Sequence, residues 1–275
     1  MLQPMRYFDV YVLCQTADNL LSGGFERNLA DFFEPLFGVD GITNKFSKYS
    51  LLHDFCEWVI RQNVWDEEEN IVEVIRETYR RRKSYSSEPP LWIDRAINFY
   101  CKPAEKNDFL RWVKAESAKA IDELTDCEID DFRYDYLQEL QLGSEDFDSC
   151  VDQLTMEMFY ILFQNREFLY NFNSGLSAYN PNKNKRIAIP KWAQRAVFFR
   201  DHGCCVFCGK DLSGTIHATE DREIHYDHII SLDNNGVNDV SNLQLCCKEC
   251  NLGKSNSSDT SANYRQWYDT KDMFE

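Results

Sequence analysis

Apolar residues recur at helical spacing through most of the first 172 residues. Leu51, Leu52, Phe55, Val59 and Ile60 fall along one face of a helix over 47–63, and similar patterns predict helices near 66–83, 90–101, 106–124, 129–141 and 149–170. Little period-two alternation interrupts them, so residues 1–172 read as an α-helical domain. Asp66-Glu67-Glu68-Glu69 opens one of these helices and Arg80-Arg81-Arg82-Lys83 closes it, an order that suits the helix dipole at both ends. Pro89-Pro90 breaks the pattern, and Pro90 suits the start of the next helix. From Asn171 to Asn184 the chain turns to Asn, Ser, Gly, Pro and Lys, which predicts an exposed connection over 173–186.

The pattern then shortens. A helix over about 190–201 is followed, beyond Cys208, by a strand within 223–232, the turn cluster Asp233-Asn234-Asn235-Gly236 and a second extended stretch over 238–245. A short helix is expected from Lys248. Tyr264, Trp267, Tyr268 and Phe274 predict one more within 257–275, packed on the body. The expected fold class is mainly α, with a small α+β domain over 187–256.

Composition adds a constraint on partners. The net charge of −16 lies almost wholly in residues 1–180, which hold 18 basic against 33 acidic side chains, whereas residues 181–275 hold 12 against 13. Lys183, Lys185, Arg186, Lys191, Arg195 and Arg200 form a stretch without an acid. Screening limits each charge to about 10 Å at ordinary salt, so this local stripe can hold a phosphate backbone although the whole chain is acidic. No apolar run approaches the roughly 20 residues of a membrane helix, and no secretory signal is evident, so a soluble, cytoplasmic protein is expected.

The chemistry concentrates near the end. Cys205-x-x-Cys208 and Cys247-x-x-Cys250 are two knuckles that can aim four sulfurs at one structural zinc. A disulfide between them is the alternative, disfavoured in a reducing compartment. Cys204 and Cys246 fall outside the paired spacing and read as ordinary small thiols. The 38 residues between the knuckles, 209–246, exceed what a zinc ribbon needs and carry Asp227-His228. Four thiolates leave zinc no open position, so any hydrolytic chemistry belongs elsewhere. His228 can serve as a base near neutral pH, and Asp227 and Asn251 offer hard oxygen ligands for Mg²⁺ or another divalent cation. Lys254, three residues after Asn251, is either a phosphate contact or a solvated side chain.

Taken together, Cys205-x-x-Cys208, Tyr226-Asp227-His228-Ile229-Ile230, Ser241-Asn242-Leu243-Gln244-Leu245 and Cys247-x-x-Cys250-Asn251-x-x-Lys254 resemble the HNH endonuclease family of ββα-metal nucleases, over about residues 190–256. The resemblance implies that His228 is the general base, Asn242 fixes the loop and helps orient it, and Asn251 stands at the last position of the motif, where many members have His. It implies DNA cleavage leaving 5′-phosphate and 3′-hydroxyl ends. Asp227 and His228 must then converge, although neighbours on a regular strand point to opposite faces, which predicts a local bend. An acidic helical partner fused to such a module fits a regulated restriction or anti-phage defence effector, with a protein partner or self-association through the helical domain. The alternatives are a non-catalytic zinc-stapled module binding nucleic acid or protein, and an RNase using the same site. His225 could assist metal or substrate; His53, His202 and His217 carry no assignment.

Overall fold

The computed structural model describes residues 9–23, 26–36, 45–65, 70–82, 88–214 and 224–260. Among them run eleven α-helices: α1 (Val10–Ser22), α2 (Glu26–Leu36), α3 (Leu51–Asn63), α4 (Ile71–Arg82), α5 (Trp92–Tyr100), α6 (Phe109–Glu116), α7 (Asp126–Gly143), α8 (Glu145–Leu162), α9 (Arg166–Tyr179), α10 (Lys191–Arg200) and α11 (Lys248–Lys254). One antiparallel pair of strands, β1 (Ile224–His228) and β2 (Leu243–Cys247), completes the fold. The mainly α class with a small C-terminal α+β part is what the periodicity predicts. Asp66–Glu69, Lys83, His217 and the helix expected within 261–275 lie outside the described residues, and residues 257–260 are not helical.

The chain forms two compact units, Met1–Leu13 with Cys56–Met158, and Cys14–Phe55 with Phe159–Glu275. The first is built on most of α3, α4 to α7 and most of α8. Its helix ends are fixed by local chemistry. Asp108 caps α6 by accepting from Leu110 and Arg111 N–H, and Thr125 and Glu128 exchange a capping box at the start of α7. Buried Asp94 on α5 accepts from Tyr136 Oη (2.5 Å) and Phe109 N–H (2.9 Å), tying α5 to α6 and α7. The basic end of α4 is engaged in this unit: Arg80 with Asp122, Arg81 with Glu77 and Arg82 with Asp108.

The second unit places the candidate chemistry on a helical base. Phe33 of α2, Phe55 of α3, and Phe168 and Phe172 of α9 are fully buried together, with ring centroids 5.2–6.5 Å apart. Each such ring contributes about 1.5–3 kcal/mol on burial. Here the expected connection over 173–186 needs correction, because α9 continues through Tyr179. Its polar-looking residues serve packing. A Cβ on Gly175 would lie 2.8 Å from the Phe33 ring, so glycine admits that ring; buried Asn173 bonds Leu169 O (2.8 Å) and Ser241 Oγ (3.4 Å). The pattern over 149–170 also splits in two, where Asn165 caps α9 by accepting from Phe168 N–H.

The base continues into the loop between the strands. Asp239, wholly buried, accepts from Ser241 N–H (2.9 Å) and, at the start of α3, from Leu51 N–H (3.0 Å). Residues 14–55 and 159–172, expected with the N-terminal domain, fall instead in the same compact unit as the module at 187–256.

Candidate nuclease site

The two cysteine knuckles are assembled by hydrogen bonds from α10 onward. Arg200 forms two bonds to Asp201 (2.9 Å each) and donates to Leu243 O (2.6 Å), while Asp201 accepts from Leu245 N–H (2.9 Å). Its guanidinium stacks on Phe163 at 4.9 Å. Arg200 is thus buried and leaves the basic stripe; Lys183, Lys185, Arg186, Lys191 and Arg195 are exposed. Val206 N–H donates to Leu245 O (2.9 Å), which seats the first knuckle on β2. Gly209, at φ +72°, takes the left-handed conformation that closes the turn, with Cys205 N–H on Lys210 O. At the end of β2, Cys247 caps α11 by accepting from Cys250 N–H.

The four sulfurs of Cys205, Cys208, Cys247 and Cys250 lie within 4.8 Å of one another, and the Cys208 and Cys247 sulfurs are 3.8 Å apart. A tetrahedral zinc with bonds of about 2.3 Å sets its sulfurs about 3.8 Å apart, so this donor set fits zinc. Burial raises the Cys205 thiol, but N–H groups of Cys208, Cys247 and Phe207 outweigh it and bring it down to about 7. Cys250 is pushed up by burial and by the neighbouring sulfurs. A divalent cation resolves that conflict by stabilising every sulfur as thiolate. Cys204 and Cys246 stand outside the cluster, Cys204 beside His202 O and Cys246 fully buried on β2.

Asp227 pairs with Gln244 and His228 with Leu243 in the sheet, and His228 is the last residue of β1. Asp227 and His228 together line one polar cleft of about 180 Å³ with Asn184, Arg186, Ser231 and Asp233. The strand pairing stays regular through both residues, and the chain bends only after them, at Ile229 and Ile230, rather than between them as expected. Asp227 Oδ2 is held by Lys254 Nζ (2.8 Å) and Gln244 Nε2 (3.3 Å). Lys254 therefore points inward: its ammonium also donates to His228 O (2.8 Å), and its side chain is 3% exposed, which fits neither a solvated lysine nor an outward phosphate contact.

His228 is buried, and burial pulls its imidazole down to about 4 against the raising effects of its Asn238 bond and of Asp227. Its Nε2 lies 3.1 Å from Asn238 Oδ1. Asn238 Nδ2 donates to Lys185 O (2.9 Å), so the oxygen faces the ring and accepts. Nε2 consequently carries the proton and Nδ1 is the basic atom. Asn238 falls outside the quoted motifs, and Gln244 lies within one without a role assigned to it. Asn238 lies in a turn-rich stretch, and the part played by Gln244 follows from its cross-strand pairing with Asp227.

Asn242, fully buried, closes the loop: its amide donates to Ile230 O (3.0 Å) and Val237 O (2.9 Å) and accepts from Ile230 N–H (2.8 Å). Asn251 lies apart from the polar cleft, its Nδ2 2.8 Å from His225 Nδ1. Beneath the loop, a Cβ on Gly236 would meet Ile230 O at 2.1 Å and Ser231 O at 2.8 Å. Gly236→Ala is therefore expected to cost about 1–3 kcal/mol, read as a lower Tm, because backbone rather than a flexible side chain must move.

Residues 205–257 match the family model described as HNH endonuclease, so the chain carries an HNH domain in that segment. Comparisons with curated proteins and with solved structures gave no match. The domain links the chain to nuclease or nucleic-acid-related function. Among the described residues no helix is long and apolar enough to cross a membrane.

Proposed function

We propose that the protein is a metal-dependent endonuclease hydrolysing phosphodiester bonds, with DNA as substrate, in which His228 Nδ1 takes the proton from the attacking water. The observation that carries this reading is the shared cleft of Asp227, His228 and Arg186. Asp227, whose Oδ2 is occupied by Lys254 and Gln244, offers Oδ1 to a cation, and Asn251, whose amide nitrogen lies 2.8 Å from His225 Nδ1 outside the polar cleft, is the second donor we assign. Bound Mg²⁺ or a similar ion would supply charge stabilisation at the phosphate and leaving oxygen. Asn242 acts through the loop. Asn238 orients the base and sets its tautomer. Lys183, Lys185, Arg186, Lys191 and Arg195 contact the nucleic-acid backbone, while Lys254 orders Asp227.

The test is cleavage of plasmid and oligonucleotides with and without divalent cations, with the His228→Ala protein beside wild type. A metal-dependent cut absent from the variant supports the reading; equal rates remove it. Parallel DNA and RNA substrates decide between DNase and RNase. Asn238→Ala is expected to lower kcat about ten- to hundredfold with KM little changed, since a misplaced base loses alignment more than binding. Steady-state kinetics at fixed metal concentration measures that split. The acidic helical part of the same chain fits a regulated restriction or anti-phage effector, in which the N-terminal part engages a protein partner or a second copy of the chain.

A further inference from the structure

The polar cleft adjoins a second, larger groove of about 350 Å³ lined by Arg186, Ile187, Ala188, Ile189, Gln194, Tyr226 and His228. Its lining differs in kind. A phosphate needs donors, which Arg186 supplies at one side, yet most of this surface is aliphatic or aromatic. Tyr226 and His228 alternate with Asp227 on β1, so they present to the same face of the strand. Gln194 Nε2 is held by Ile189 O (2.9 Å), leaving its amide oxygen to accept from a base edge.

The stretch that leads into the aliphatic wall is fixed in place. Asn180 Nδ2 donates to Asn235 O (2.8 Å), Asn184 Nδ2 to Gly236 O (2.9 Å) and Asn238 Nδ2 to Lys185 O (2.9 Å), which laces residues 180–185 to the loop that orients the base. A pocket of this size lies within the range of about 300–1,000 Å³ seen for small-molecule sites. Flat apolar and aromatic surface beside a guanidinium is the chemistry that receives a base together with its phosphate.

We propose that this groove receives one unstacked nucleobase next to the scissile phosphate, against Tyr226 and the Ile187–Ile189 wall, so that the preferred substrate is single-stranded or locally melted nucleic acid. The proposal rests on the nuclease reading for the position of the phosphate. A base inside a regular duplex is stacked on both faces and does not reach such a groove without being extruded.

Binding separates the two readings, because it needs no cleavage. Full-length wild-type protein without added Mg²⁺, so that strands are bound but not cut, is titrated by fluorescence anisotropy against labelled single-stranded DNA, single-stranded RNA and duplex DNA of the same sequence. Single strands are expected to bind about tenfold or more tightly than duplex, the DNA and RNA arms identifying the sugar. Adding Tyr226→Ala should weaken single-strand binding about tenfold and leave duplex binding unchanged, while Tyr226→Phe retains the preference. Zinc content and thermal unfolding check each protein, and Ile189→Ala replaces Tyr226→Ala if the latter does not fold. Equal or tighter duplex binding, equal weakening of both forms, or no binding to any strand overturns the proposal. If wild type cuts duplex while these results hold against a base site, the nuclease reading survives alone; if single strands bind as expected and nothing is cut, only the nuclease reading falls.

Discussion

His228→Ala is expected to reduce metal-dependent cleavage by about 10²–10⁴-fold, the usual contribution of a positioned general base. The imidazole is 4% exposed, and its ordinary titration is pulled down to about 4 by burial, so it stands neutral at physiological pH. Its one donor bond goes to Asn238, which is itself fixed by Lys185 O, so the ring has one tautomer and one orientation. Removing it deletes the buried bond to Asn238 Oδ1, costing about 1–3 kcal/mol of stability. The variant should therefore bind zinc, melt cooperatively at a somewhat lower Tm and fail in turnover. A rate within a factor of about two of wild type would dismiss His228 as the base. Loss of zinc together with activity would mean that the side chain had been supporting the module.

Cys247→Ser is expected to release the zinc and unfold the module around it. This residue supplies a sulfur, ends β2 and caps α11, which carries Lys254 to Asp227. Structural zinc sites contribute about 10–16 kcal/mol of apparent binding free energy, more than the whole stability of an ordinary domain. Metal analysis by mass spectrometry should find one zinc per wild-type chain and almost none in the variant, with loss of cooperative unfolding in the second unit. Cys204→Ser, outside the cluster, should retain the metal. A zinc-free but normally folded wild-type protein would refute the assignment.

The knuckles and the Asp-His pair were legible in the sequence because their spacing is local and the chemistry allows few donor types. Residues whose role depends on distant partners were not. Gly175 and Asn173 carry linker composition, yet their meaning comes from Phe33 and Ser241. Arg200 looks like part of a basic stripe until Asp201 and Leu243 O enclose it. For Lys254, helical spacing placed it near Asn251 correctly, but its orientation is decided by Asp227 across the sheet. Asn238 follows His228 by ten residues in a stretch rich in turn formers, where Asn is unremarkable without a structure. Helix periodicity gave the class of fold for a similar reason: it is set within a few turns, whereas the partition into units depends on contacts between α2, α9 and the loop at 240–242.

The buried carboxylate of Asp239 has a consequence for anyone wishing to borrow the HNH cassette. Excised as residues 187–256 and grafted onto a foreign host, the segment would lose the Leu51 amide and the Asn173 contact that satisfy its loop. A transplant must bring α2, the start of α3 and α9 with it, so the smallest portable piece is discontinuous in the gene although the recognisable motif is not.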